Sequence, residues 1–298
     1  MADGSQDFLA QLSDAVVARA AAGEGLVATI SAGRRLRTGI FWGGDVVVAS
    51  EQSFPKADDA TVQLADGRKL NAHVAGRDAS TNIIALRLEQ PVEVSLPATA
   101  EPQLGALALA FGAAGDGTAT VRLTSIRAMG PAWHSLRGGL IDRRISLDLS
   151  VSSGQEGGPV LSADGGLLGM STAGPRGRAI VIPAATVARA LQPLLTTGKV
   201  ERGWLGVALH PVALPAGAVA GQERGQMVMQ VAADGPAAKA GVQPGDILVA
   251  AGGAAAVHAR DLGRRLGPDS VGQTIELRLF RAGAQVTLTA TITARPAA

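Results

Sequence analysis

The spacing of apolar residues changes character several times along the chain. Residues 7–22, DFLAQLSDAVVARAAA, carry them at helical spacing, with Asp7 placed as an N-cap. From Gly25 the spacing becomes two, or contracts into short apolar runs. LVATIS, GIFW, DVVVAS, ATVQL, LNAHVAG and NIIALRL all read as strands. Asp66-Gly67 lies between ATVQL and KLNAHV, and Asp164-Gly165 between GPVLS and LLGMSTA. Such pairs accept the positive φ of a two-residue hairpin turn. Many short strands closed by turns predict an all-β barrel or sandwich. Helical spacing returns at 183–198, opening near Pro183 and closing at Gly198. GKVERG is then a polar linker. Beyond it come WLGVAL, the turn ADGPAAKAGVQPGD, the strand ILVAAGG, a short helix around ARDLGRRLG, and a terminal hairpin, TIELRLF with VTLTATI. The pattern predicts an N-terminal helical extension over 1–24, a β domain over 25–198 and a second domain over 199–298.

Composition narrows the chemistry. In 298 residues, 47% are hydrophobic and 17% charged, which excludes a mostly disordered chain. With 27 Lys and Arg against 25 Asp and Glu, the net charge of +2 argues against nucleic acid as a partner. Arg34, Arg35 and Arg37, and the pairs Arg143-Arg144 and Arg264-Arg265, read as solvated faces. The absence of cysteine excludes disulfides, thiolate metal sites and a cysteine nucleophile. No cofactor or metal is expected. No apolar run approaches the roughly 18 residues of a membrane span. The N-terminus, MADGSQDFLAQL, has no basic segment of the secretory kind. The expected location is cytoplasmic as written, or periplasmic if a leader has been removed.

Several segments resemble a known family. GDILVAAGG after PAAKAGVQP resembles the core of a PDZ domain, and ERGWLGV resembles the start of the PDZ domain in HtrA-type serine proteases. SGQEGGPVLSADGGLLGMST is similar to the nucleophile segment of those proteases. VQLADGRKLNAHVAGRDASTNIIALRLE and GRAIVIPAATVARALQPLLTTGKVERGWLGV resemble their hairpin and their junction between barrel and PDZ domain. The resemblance covers about residues 26–295. It implies a mainly β fold, a chymotrypsin-type double barrel of six strands each followed by one PDZ domain.

The resemblance also places the catalytic positions. Where the family has its His, DVVVASEQSF places Gln52; where it has its Asp, DASTNIIAL places Asn82. Where it has its Ser, in GNSGGP, this chain reads GQEGGP and places Glu156. A serine protease needs a hydroxyl nucleophile, an imidazole to carry its proton and a carboxylate to orient the imidazole. Gln52 has no titrating nitrogen, Asn82 no charge, and Glu156 no hydroxyl. Gly154, Gln155 and Glu156 would be the remnant of the oxyanion loop. His73, His134, His210 and His258 lie outside the expected catalytic strand. Ser50, Ser53, Ser152 and Ser153 flank the altered positions without an imidazole beside them. The expectation is therefore a proteolytically inactive HtrA-like protein that binds peptides or protein partners, and not an enzyme. An active serine-type endopeptidase with an unorthodox site, or a purely structural subunit, are the rivals. The three altered side chains are expected to hydrogen-bond together, with both amides donating to Glu156.

The PDZ resemblance implies peptide binding by strand addition. Trp204, Leu205, Gly206 and Val207 would form the carboxylate loop, and Leu262 and Leu266 the opposite wall. Expected partners are peptide or protein C-termini, with the cleft between the barrels as a second place for a protein partner. Homo-oligomerisation is left open.

Overall fold

A computed structural model describes residues 3–33, 35–114, 116–152, 154–215 and 217–296. Arg34 and Ser153 lie outside the described residues. The chain divides into two compact units, residues 1–200 and 201–298.

The first unit opens with helix α1 (Asp3–Glu24). It starts four residues before Asp7, which lies inside the helix rather than capping it. Val16 and Ala20 pack toward Leu109, Phe111 and Leu161. Five strands follow: β1 (Val27–Ala32), β2 (Arg35–Ser50), β3 (Asp59–Gln63), β4 (Lys69–Asp78) and β5 (Ile83–Val92). They close a barrel in the order β1-β2-β5-β4-β3. GIFW and DVVVAS, which read as separate strands, are parts of the single strand β2. Its first half pairs with β1 from Arg35 to Ile40, and its second with β5 from Gly44 to Ser50. Gly43 and Gly44, at φ 118° and 57°, turn the strand between those partners. One long strand thus serves as two staves, and five strands close the barrel expected to have six.

The second barrel uses β6 (Leu107–Ala113) and β7 (Ala119–Gly130). A short hairpin, β8 (Trp133–His134) with β9 (Leu140–Ile141), precedes β10 (Arg144–Ser150), β11 (Pro159–Ser162), β12 (Leu167–Ala173) and β13 (Arg178–Pro183). The order is β10-β13-β12-β11-β6-β7. His134 therefore sits in a short strand. Aliphatic side chains fill both barrels, Ile30, Val62 and Leu86 in the first, Ile145, Leu147 and Val181 in the second. A third cluster joins Ile40, Val48 and Ile83 to Met170 and Ile182. Helix α2 (Ala184–Thr197) seals it with Val187 and Leu194. Gly198, at φ 75°, ends that helix in the left-handed conformation.

The second unit holds β14 (Gly203–Trp204), β15 (Val207–Ala213), β16 (Arg224–Val231), helix α3 (Pro236–Lys239), β17 (Ile247–Ala251), β18 (Ala254–Ala255), helix α4 (Ala259–Arg265), β19 (Thr274–Arg281), β20 (Ala284–Thr291) and β21 (Thr293–Ala294). The main sheet runs β15-β16-β17-β19-β20, with β18 paired to β17, so β15 is an edge strand. Leu205, Val228, Leu248, Leu262 and Leu277 form the core. The mainly β architecture expected from the sequence is the one observed.

Candidate functional site

The barrels of the first unit bring together segments far apart in sequence. β2 ends at Ser50 and runs into a single 3-10 turn, Glu51–Ser53, which carries Gln52. Asn82 stands just before β5 at φ 63°, a left-handed conformation that Asn tolerates better than most residues. Glu156 lies in the loop before β11 and is only 2% exposed.

The expected contact between Gln52 and Glu156 is present: Gln52 Nε2 donates to Glu156 Oε2 at 2.7 Å. Asn82 behaves differently from the expectation. Its Oδ1 accepts the Gln52 backbone N–H at 2.7 Å, and its Nδ2 donates to Ser50 Oγ at 3.0 Å and Thr172 Oγ1 at 2.6 Å. Its carbonyl faces the 3-10 turn, so its amide meets two hydroxyls instead of the carboxylate.

Thr172, which the sequence reading did not single out, is the hub. Its Oγ1 accepts from Asn82 Nδ2 and from Gln52 Nε2 at 2.9 Å, and donates to Glu156 Oε2 at 3.1 Å. One donor and two acceptor sites are all that a hydroxyl has, and all three are used. Glu156 Oε2 also accepts the Ala173 N–H at 3.0 Å, so three donors converge on one oxygen of a buried carboxylate. Such convergence offsets the loss of its hydration.

The loop expected as the oxyanion remnant is folded onto itself. The N–H groups of Gln155 and Glu156 both donate to Ser152 O, at 3.0 and 3.1 Å. Gly154 O accepts from Thr38 Oγ1 at 2.9 Å. These two N–H groups can face an anionic oxygen only if the Ser152 carbonyl swings away.

In the second unit, Trp204 pairs with Thr293 and Leu205 is buried in the core beside Leu262, with Leu266 packed against them. Gly206 has φ 78°. Leu205 O accepts from Ala237 N–H at 2.9 Å, and Gly206 O from Ala232 N–H at 2.8 Å. In a trans peptide the N–H points opposite to the carbonyl. The N–H groups of Gly206 and Val207 therefore point away from Ala237 and Ala232. Asp246, 2% exposed at its side chain, is held in a fork by Arg281, Nε to Oδ1 at 2.6 Å and Nη2 to Oδ2 at 2.8 Å. Burial alone would raise this carboxyl. The Arg281 hydrogen bonds, the Gln243 N–H and the Arg281 charge outweigh it and hold Asp246 below the usual carboxylate range.

Comparison with known proteins agrees with this division. Residues 37–170 match the trypsin-like peptidase domain family and residues 203–292 the PDZ domain family. A protein of Brucella suis named "Probable periplasmic serine endoprotease DegP-like" is 31% identical over 264 residues, 84% of this chain and 50% of that protein. The chain carries a trypsin-like peptidase domain followed by one PDZ domain. A Bartonella henselae protein of the same name is 30% identical over 260 residues, 83% of this chain and 50% of its own. The chain thus spans about half the length of the curated relatives it matches. Among solved structures, HtrA-type protease AlgW with tripeptide aligns at a TM-score of 0.69 and 26% identity, covering 94% of this chain and 97% of that one. The serine endoprotease from Yersinia pestis aligns at 0.72 and 24% identity, over 93% and 97%, a likeness of fold.

These findings correct the expectation that the chain is not an enzyme: its relatives are named serine endoproteases, and the family points to an enzyme. The sequence argument weighed the three aligned side chains, the four histidines and the serines that flank the altered positions. It took no account of Thr172, whose hydroxyl lies against the Glu156 carboxylate. Among the described residues no group of three or more His, Asp or Glu side chains could hold a metal ion. Among them, too, no helix is long and apolar enough to cross a membrane.

Proposed function

We propose that this chain binds polypeptide C-termini as an added strand in its PDZ domain and acts on polypeptide by the serine-type endopeptidase reaction of its family. One observation carries the binding half. β15 is an edge strand, and it begins at a turn whose two N–H groups, from Gly206 and Val207, point away from the carbonyls' partners. A free sheet edge supplies main-chain pairing, and paired N–H groups at its head suit a terminal carboxylate. α4 packs beside β15 and supports the second wall of a groove there. Trp204, Leu205, Leu262 and Leu266 would shape the groove for an apolar terminal side chain. Titration of the full chain with C-terminal peptides tests this. Saturable binding that is lost when the terminal carboxylate is amidated is the expected result, and no binding of either form overturns it.

The endopeptidase half rests on the relatives' names and on one contact. Gln52, Asn82 and Glu156 would occupy the family's triad positions and offer no imidazole. The hydroxyl–base contact in this cleft is Thr172 Oγ1 to Glu156 Oε2. A carboxylate is a weaker base than imidazole by about two pKa units, so turnover would be slow. Gln52 is exposed and lies over that pair, so a substrate would displace it. Incubation with labelled casein tests the proposal. Slow cleavage that follows the chain through purification and is lost in both Thr172→Val and Glu156→Gln is expected. No cleavage, or cleavage indifferent to both changes, overturns this half and leaves the binding half standing.

A further inference from the structure

The edge of β15 has an interruption that bears on which peptides it can hold. In an antiparallel strand the N–H and C=O of alternate residues face opposite neighbours. The facing of β15 follows from its partner. Val228 on β16 turns both of its groups toward the β17 side: its N–H donates to Asp246 O at 2.8 Å, and its carbonyl accepts from Gly245 N–H at 2.8 Å. Met227 and Gly225 then face β15, where they are partners of His210 and Val212. Leu214 N–H also donates to Glu223 O, at 2.8 Å, continuing that series. At the other end Gly206 O accepts from Ala232 N–H, in the same series. The one register shift lies between Ala208 and Leu209, where β16 carries the extra residue, Met229, so the alternation along β15 is unbroken. Gly206, Ala208, His210, Val212 and Leu214 thus face inward. Val207, Leu209, Pro211 and Ala213 present their main-chain groups to the free edge.

Proline has no N–H. At the free edge it disturbs no bond of the sheet, which is where a strand tolerates it. It is also where an added strand would look for a donor. A peptide anchored by its carboxylate at Gly206 and Val207 runs antiparallel to β15. Its terminal residue faces Val207, the third from the end faces Leu209, and the fifth faces Pro211. The third residue can exchange both bonds with Leu209. The fifth can give its N–H to Pro211 O, but its own carbonyl finds no donor.

We infer that Pro211 is a specificity-determining residue: in this PDZ domain it leaves the fifth residue from the end of a C-terminal peptide one main-chain bond, where the third makes two. This rests on the peptide-binding reading above and deepens it: backbone recognition is complete over the last four residues and weakened at the fifth. Pro211 is exposed, so the deficit is set by the missing donor and not by a steric wall. The orphaned peptide carbonyl remains hydrated, and what is lost is the gain of one intermolecular hydrogen bond.

The test uses the full chain and pairs of peptides with a free C-terminal carboxylate. Each pair is an N-acetylated hexapeptide and a desamino tetrapeptide with the same last four residues, chosen from an array of apolar-ending sequences. The tetrapeptide carries no acyl group, because an acetyl carbonyl would itself stand in for the fifth residue's carbonyl. The wild-type chain should favour the hexapeptide by no more than about tenfold, the worth of the one N–H bond to Pro211 O. Pro211→Ala restores a donor and should bind the hexapeptide roughly three- to tenfold more tightly than wild type does, with the tetrapeptide unchanged. In that variant the new amide at position 211 should be protected from hydrogen exchange by the hexapeptide and not by the tetrapeptide. A wild-type chain that gains more than about tenfold from the two extra residues overturns the inference without needing the variant. So does a variant that treats both peptides as wild type does; in either case peptide binding itself stands. If no peptide with a free carboxylate binds to either chain, the binding reading falls and the inference with it.

Discussion

At the scale of single residues, the cleft is organised by a hydroxyl. Thr172 satisfies two amides and one buried carboxylate at once, so its removal leaves several groups short of a partner together. Thr172→Val keeps the shape and removes the oxygen. It should cost about 1–3 kcal/mol, the range for leaving buried polar groups unpaired. Ser50→Ala removes one acceptor from Asn82 and should cost roughly 0.5–1.5 kcal/mol. Urea midpoints of the two variants check this, and equal losses would mean that Thr172 is no hub. That Gln52, Asn82 and Glu156 come together was legible because short motifs, DVVVASEQSF, DASTNIIAL and GQEGGP, mark them. So was the Gln52–Glu156 hydrogen bond, since an amide beside a buried carboxylate has an obvious acceptor. Thr172 was not legible. It sits in LLGMSTA, which reads only as a strand, and its role depends on β12 passing beside two loops about 90 and 120 residues earlier. Nor was the orientation of Asn82, since which end of an amide meets which neighbour is decided by non-local packing.

At the scale of elements, glycines decide where strands bend and where loops can approach the sheet. Gly157 has φ 102°, and its N–H donates to Ser171 O at 2.8 Å, while Ser171 N–H donates to Gly158 O at 2.8 Å. That pair of bonds ties the Glu156 loop to β12. A Cβ at Gly157 would run into Thr38 O. Gly157→Ala therefore combines a left-handed φ with a collision against backbone, and about 3 kcal/mol or more of stability should be lost. The same change at Gly67, also at positive φ but facing open space, carries only the conformational part. A denaturant comparison of the two variants separates strain from collision; equal losses would show that the loop gives way. Hairpin glycines such as Gly67 and Gly165 were legible because a turn pair between two apolar runs has a local meaning. The bend in β2 was not. Gly43-Gly44 reads as a strand terminator, and only the exchange of partners, β1 for β5, makes it a corner inside one strand.

At the scale of the whole molecule, acid should act on the second unit through one buried ion pair. Asp246 lies just before β17 and Arg281 ends β19, and Arg281 also donates to Gly241 O at 2.8 Å. Their fork ties the turn before β17 to the neighbouring end of β19, where Ile247 pairs with Phe280. The Asp246 carboxyl titrates lower in the folded chain than in the unfolded one. A depressed folded value gives stability that is fully present above the unfolded value, about 3.9, and is lost as pH falls through the folded one. Asp246→Asn keeps the size and removes the charge, leaving the half-buried Arg281 guanidinium short of its counter-ion. Hydrogen exchange over residues 201–298 should therefore be faster in the variant at pH 7, by an amount corresponding to about 1–3 kcal/mol. The gap between the two proteins should hold down to about pH 4 and narrow below it, because acid then removes from the wild type the charge that the variant already lacks. A gap unchanged at pH 2 would assign the effect of the substitution to packing. The converging form would assign it to the ion pair, and would make the tie between the turn before β17 and the end of β19 a contact of the PDZ unit that acid loosens.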